Sequence, residues 1–145
     1  MKSIQKAIPI LLGVAVYISV FNVLNTVVMN GLLYLAKGSN LPYAAMLIYI
    51  QSNILWLFKI SLGIIIVASI LGGYTAAAHS IYRPYFNALM AGFLYVGYQF
   101  MLFVSPIQTG DPGAVTYVSW TIIPPFFSIV GANIYKRQQG RKKDG

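Results

Sequence analysis

The sequence contains no cysteine, only two acidic residues, Asp111 and Asp144, and a single histidine, His79. Each shortage removes a chemistry. Without cysteine there are no disulfides, thiolate nucleophiles or cysteine-based metal sites. Without glutamate, and with one aspartate in a Gly-Asp-Pro-Gly turn and the other in the extreme C-terminal tail, no carboxylate pair is expected for acid–base work or for clamping magnesium. His79 has no second histidine or cysteine at metal-ligand spacing, and no acid near it to orient a serine–histidine pair. The expectation is a protein that is not an enzyme, with no catalytic residue, no cofactor and no bound metal. A proton-coupled carrier is also poorly supplied, since such carriers rely on intramembrane carboxylates or histidine chains.

Charge of either sign is scarce. Charged residues are 8 % of the chain and hydrophobic residues 58 %, and the mean hydropathy is +0.71. A soluble domain carries about a quarter charged residues to solvate its surface, so much of this surface must face lipid. The cations that exist are clustered. Lys2 and Lys6 open the chain; Lys136, Arg137, Arg141, Lys142 and Lys143 close it; only Lys37, Lys59 and Arg83 lie between. Basic ends flanking apolar runs are a topology signal. The net charge of +8 therefore does not imply nucleic acid, for which no soluble module is present.

The charge-free intervals set the architecture. They run over Ala7–Ala36, Gly38–Phe58, Ile60–Tyr82, Pro84–Gly110 and Pro112–Tyr135. The first is too long for a signal-peptide core of about 7–15 residues and reads as a span. About 20 apolar residues cross a bilayer, but no turn signal separates the second interval from the third, only Lys59, so the two make one crossing. Four spans place Lys2, Lys6, Arg83, Lys136, Arg137, Arg141, Lys142 and Lys143 inside and only Lys37 and Lys59 outside, as the positive-inside rule requires. The predicted fold is all-α: one four-helix transmembrane domain over 1–135 with both termini cytoplasmic. Helices are expected near 9–34, 57–78, 84–104 and 114–135, followed by a basic tail over 136–145. Pro9 suits a first turn, and Pro124-Pro125 removes two amide donors from the fourth helix and predicts a kink.

The segment 41–56 does not fit a simple span. Joined to the second helix it would give about 36 residues, roughly 54 Å at 1.5 Å per residue, too long for one bilayer. It is read as an extra apolar helical segment on the outer side, packed in the interface, re-entrant, or covered by a partner. Tyr43, Met46, Leu47, Ile48, Tyr49 and Trp56 are the candidate partner contacts.

Two further patterns lie within the spans. Ala68, Gly72 and Ala76 recur at i+4 in the second helix, as do Ser69, Gly73 and Ala77; the third helix answers with Ala88, Ala91 and Gly92. Such small-residue ridges let backbones approach closely in lipid, either within the protomer or toward another chain. In the first helix Ser19, Asn22, Thr26 and Asn30 share a face, with Asn25 beside them. They read as interhelical glue, with Tyr95, Tyr98, Gln99 or Ser128 as partners, or as the wall of a polar pathway with Gln99. The basic rim of His79, Arg83, Lys136, Arg137, Arg141, Lys142 and Lys143 suits anionic lipid headgroups.

The run Leu71-Gly72-Gly73-Tyr74-Thr75-Ala76-Ala77, followed by Arg83-Pro84, Asn87-Ala88, Gly92, Pro124-Pro125 and Gly131-Ala132, resembles a pattern in small uncharacterised bacterial four-helix membrane proteins. The resemblance covers the second half of the chain and implies a bacterial inner membrane. Small multidrug carriers are similar in size, but depend on a glutamate that this chain lacks. Fluoride channels share a Gly-Gly-x-Thr stretch, but insert in both orientations, against the charge bias here. Two functions are carried forward: a non-catalytic accessory subunit bound to other membrane proteins, and a small oligomeric channel or carrier lined by Asn and Gln.

The charge pattern makes a direct prediction. In inverted and right-side-out vesicles, single cysteines at Ser3 and Lys143 should react with an impermeant maleimide from the cytoplasmic side, and a cysteine at Lys37 from the other. Reaction of the two ends from opposite sides would contradict four spans.

Overall fold

A computed structural model describes residues 2–38, 54–103 and 113–142, and these form four helices with no strand among them. We number them α1 (Lys2–Gly38), α2 (Ile54–Ala78), α3 (Pro84–Phe103) and α4 (Gly113–Arg141). Two of them, over Ala7–Leu32 and Lys59–Ala78, are long and apolar enough to cross a membrane. In α2 the apolar residues lie all round the helix rather than along one stripe, as in helices surrounded by protein or lipid on every side.

Successive helices are antiparallel. Tyr17 of α1 meets Ile65 and Ser69 of α2, Gly92 of α3 meets Pro124 and Pro125 of α4, and Gly73 of α2 meets Ser128 of α4, which runs parallel to it. The two chain ends and the α2–α3 turn therefore share one end of the bundle, called here the terminal end. Helix α2 packs on all three others, while α1 and α4 flank the α2–α3 pair.

The core inverts the usual distribution of side chains. Its apolar centre is Ala76, Ala77, Ala88, Ala91 and Ala132, and its polar members Ser69, Gln99 and Ser128 are also buried. Bulky side chains such as Leu11, Val67, Phe86, Phe93, Met101, Ile122 and Phe126 face outward. In water this arrangement would forfeit the hydrophobic effect; in lipid, small residues inside and large ones outside give close packing.

Glycine sets the closest approaches. A Cβ on Gly72 would sit 2.8 Å from the Gly13 carbonyl oxygen, and one on Gly13 would sit 2.8 Å from that of Gly72. A Cβ on Gly73 would strike the Ser128 backbone, one on Gly131 the Ile70 backbone, and one on Gly92 the Pro125 backbone at 2.7 Å. The first small-residue ridge (Ala68, Gly72, Ala76) thus faces α1, and the second (Ser69, Gly73, Ala77) faces α4.

Burial falls away toward the other end. Among the side chains whose burial is described, none of α1 beyond Tyr17 is buried, and those buried in α2 begin at Ile64. Gly31, Gly63 and Gly97 have open space where a Cβ would stand. At 1.5 Å per residue, about 25 Å of α1 runs from Tyr17 to Tyr34 with little cover.

Several boundaries differ from the sequence reading. Helix α1 starts at Lys2, so Pro9 is internal and buried; nothing in Ser3–Ala7 breaks a helix before it. Helix α4 continues six residues beyond Tyr135 to Arg141. Lys136 to Gln139 are good helix formers, and cations suit a helix C-terminus. The basic segment is therefore mostly helix rather than a separate tail. Pro124 and Pro125 lie within a continuous α4, pressed against Gly92. Helix α2 begins at Ile54, so Trp56 belongs to it. Tyr43, Met46, Leu47, Ile48 and Tyr49 lie outside the described residues, as does Lys143.

Gly73→Ala and Gly131→Ala should each cost about 1–3 kcal/mol of stability by overpacking. Gly63→Ala and Gly97→Ala should be neutral or stabilising by up to about 1 kcal/mol, as glycine is a poor helix former. Denaturant or thermal unfolding in mild detergent separates the two pairs; equal effects would contradict the packing.

Candidate functional site

The polar residues of the interior form one chain of contacts across four helices. The Tyr17 hydroxyl is hydrogen-bonded to Ser69 Oγ, which in turn donates to the Ile65 carbonyl at 2.5 Å. Ser69 thereby returns its proton to its own helix one turn back and accepts the proton of Tyr17. The Tyr17 ring touches Gly72 and stacks on Tyr95 of α3 with centroids 3.6 Å apart. Phe21 meets the same Tyr95 ring edge-on at 6.1 Å. The Tyr95 hydroxyl accepts a hydrogen bond from Gln99 Nε2 one turn further along, and Ser128 Oγ donates to the Ser69 carbonyl at 3.4 Å. The i+4 spacing of Gly13, Tyr17 and Phe21 brings all three to the inward face of α1.

One polar atom is left over. Gln99 is 8 % exposed, and its Oε1 has no hydrogen-bond partner among the described residues. Beside it lies a cavity of about 280 Å³. Phe21, Ile65, Tyr95 and Pro124 give it apolar walls, and Asn25, Ser61 and Gln99 its polar groups. All four helices contribute, and among the described residues none that lines the cavity is charged. Asn25 is exposed at its edge.

The polar face read from the sequence is divided by the fold. Gln99 enters the cavity, but Ser19, Asn22, Thr26 and Asn30 are exposed on the outside of α1. None of the four makes the expected hydrogen bond with Tyr95, Tyr98, Gln99 or Ser128 among the bonds described. The reason is register: the close-packing face of α1 is fixed by Gly13 and Tyr17, and Asn22, Thr26 and Asn30 fall largely on the opposite side. Asn25, one position from Thr26, turns toward the cavity instead. Below the cavity, toward the terminal end, Ala76, Ala77, Ala88, Ala91 and Ala132 close the interior. A continuous polar path through the protomer is not formed by these residues.

The small residues Ala68, Ser69, Gly72, Gly73, Ala76, Ala77, Ala88 and Gly92 are all buried at helix contacts. The sequence reading did not single out Gly13 or Tyr17. Their signal was the i+4 series Pro9, Gly13, Tyr17, Phe21, which the neighbouring asparagines drew attention away from.

The terminal end gathers the charges. His79, Arg83, Lys136, Arg137, Arg141 and Lys142 are exposed, along with Ile81 and Tyr82 of the α2–α3 turn. Asn87 Nδ2 donates to Ser80 Oγ at 2.7 Å and ties this turn to α3. Lys136 Nζ lies 5.0 Å from the centroid of the Tyr85 ring. The Tyr74 hydroxyl donates to Gln138 at 2.8 Å, fastening the end of α4 to α2. Tyrosine, an exposed apolar pair and a ring of cations at one level match an interfacial belt.

Comparison with family models, curated proteins and solved structures gives no match for the chain.

Ser69→Ala and Tyr17→Phe should each cost about 0.6–1.7 kcal/mol, the range for hydrogen bonds between membrane helices. Combined, they should cost less than the sum, since both remove one bond. Strict additivity in unfolding measurements would show that the two hydroxyls do not interact.

Proposed function

We propose that the chain is a multi-pass protein of a bacterial inner membrane, with four spans and both ends cytoplasmic. It serves there as a non-catalytic accessory subunit of a larger membrane protein complex. The observation that carries this reading is the exposed polar face of α1. Asn22, Thr26 and Asn30 stand uncovered within the long apolar stretch Ala7–Leu32, Asn22 nearest its middle and Asn30 near its end. An amide facing hydrocarbon without a partner is costly. A neighbouring helix that hydrogen-bonds it returns about 0.6–2 kcal/mol per bond. A face of this kind suits another membrane polypeptide far better than lipid.

The outward-facing apolar side chains of α3 and α4 support the four-span reading, because Phe86, Phe93, Phe100, Ile122 and Phe126 would otherwise face water. The exposed cations Arg83, Lys136, Arg137, Arg141 and Lys142, with Lys143 beyond them, suit anionic headgroups at about 1 kcal/mol per cation near the surface. The resemblance of the Gly72–Ala77 and Arg83–Gly92 patterns to bacterial four-helix proteins supports the bacterial membrane. A channel or carrier draws less support, because the alanine cluster lies across the interior below the cavity.

A photocrosslinking amino acid at Asn22, Thr26 or Asn30 in cells should form adducts with a different membrane polypeptide. The same probe at Val67 or Phe93, exposed apolar positions on other helices, should not. Adducts confined to lipid, or to a second copy of this chain, would contradict an accessory role through α1.

A further inference from the structure

The cavity beside Gln99 is not needed for docking through the outer face of α1, and its chemistry is selective in a different way. We propose that it binds a small uncharged aromatic alcohol taken up from the membrane, with the ligand hydroxyl donating to Gln99 Oε1. This goes beyond the accessory-subunit reading and does not depend on it.

Size comes first. A cavity of about 150 Å³ holds benzene, so about 280 Å³ holds a molecule of roughly ten non-hydrogen atoms on the same scale. Water alone fits the space poorly. At about 30 Å³ each, some nine waters would be required, each seeking two to four hydrogen bonds. Among the described residues, Asn25, Ser61 and Gln99, with the Tyr95 hydroxyl, offer the polar atoms. Most of the wall is the Phe21 and Tyr95 rings, Ile65 and Pro124, which suits an aromatic body.

The polar requirement is equally specific. Gln99 is more than nine-tenths buried, its amide nitrogen is taken by Tyr95, and its oxygen is unpartnered. A buried acceptor left unpaired is costly, and a hydroxyl donor removes that cost. Among the described residues no charged side chain lines the cavity, which favours an uncharged ligand, because an ion moved into such a site would lose its hydration without a partner. Access is provided where Asn25 stands exposed at the rim.

The test uses the full chain in mild detergent, with 2-naphthol as probe and naphthalene and naphthalene-2-sulfonate as comparisons. Ligand that binds the folded state raises the unfolding temperature in a saturable way. The expected result is a saturable rise with 2-naphthol, an affinity about tenfold weaker for naphthalene, and no saturable effect of the sulfonate. Gln99→Leu should bring 2-naphthol down to the naphthalene affinity. Ser61→Phe, which fills the cavity, should abolish saturable binding; Asn25→Trp at the exposed rim provides a second block if that variant does not fold. Equal affinity for 2-naphthol and naphthalene in the unsubstituted chain would overturn the proposal, as would a non-saturable rise that survives both cavity-filling variants. Because the isolated chain is measured, a failure here leaves docking through α1 untouched, and a failure of docking leaves this site untouched.

Discussion

Under the proposed four-span reading, the structure depends on a constraint of packing in lipid: apolar helices do not gain from burying apolar surface against one another when the solvent is equally apolar. What remains is dispersion between closely fitted backbones and a few hydrogen bonds. Both need close approach, and close approach needs the absence of side chains. Gly13 against Gly72, Gly73 against Ser128, Gly131 against Ile70 and Gly92 against the Pro124-Pro125 pair are the places where this chain provides it. Helix α2 supplies two adjacent small-residue ridges, which is why it can hold α1 on one side and α4 on the other.

The distribution of these residues sets the shape of the interior. They are concentrated from the middle of the bundle toward the terminal end, where alanines from three helices meet. Above them Tyr17, Ser69, Tyr95 and Gln99 form a transitional layer in which rings and hydroxyls replace methyl groups. Beyond that layer Gly31 and Gly63 have open space where a Cβ would stand, and none of the described side chains of α1, α2 or α3 is buried. The cavity occurs at this transition, where contact between helices is giving way and polar side chains are still enclosed. The rotation of α1 set by Gly13 and Tyr17 leaves Asn22, Thr26 and Asn30 on the exposed side of the helix. The proposed ligand cavity and the proposed docking face both follow from where small residues hold α1 against α2.

Much of the architecture was legible because it follows from composition. Too few ionisable residues, basic ends and charge-free intervals yield four helices, and the Gly72 and Gly73 ridges were visible from their i+4 spacing. The site was less legible. Ser19, Asn22, Thr26 and Asn30 do share a helix face, but periodicity does not say whether that face points in or out; the answer came from Gly13 and Tyr17, whose contacts fix the rotation of α1. Gln99 was recognisable as a buried amide, while its partner Tyr95 and its unpaired oxygen depend on side-chain geometry. The end of α4 was misplaced because the loss of apolar character at Lys136 marks a change of side-chain polarity, not where backbone hydrogen bonding stops.

Paired spin labels in lipid nanodiscs test the uneven bundle most directly, and the cysteine-free chain requires no background substitutions. One pair, at Ile8 and Phe86, reports the terminal ends of α1 and α3; the other, at Tyr34 and Met101, reports their opposite ends, and all four positions are exposed. A short, narrow distance distribution for the first pair and a longer, wider one for the second is the expected result. Equally short and narrow distributions at both ends would contradict a bundle closed by small residues at one end and open at the other.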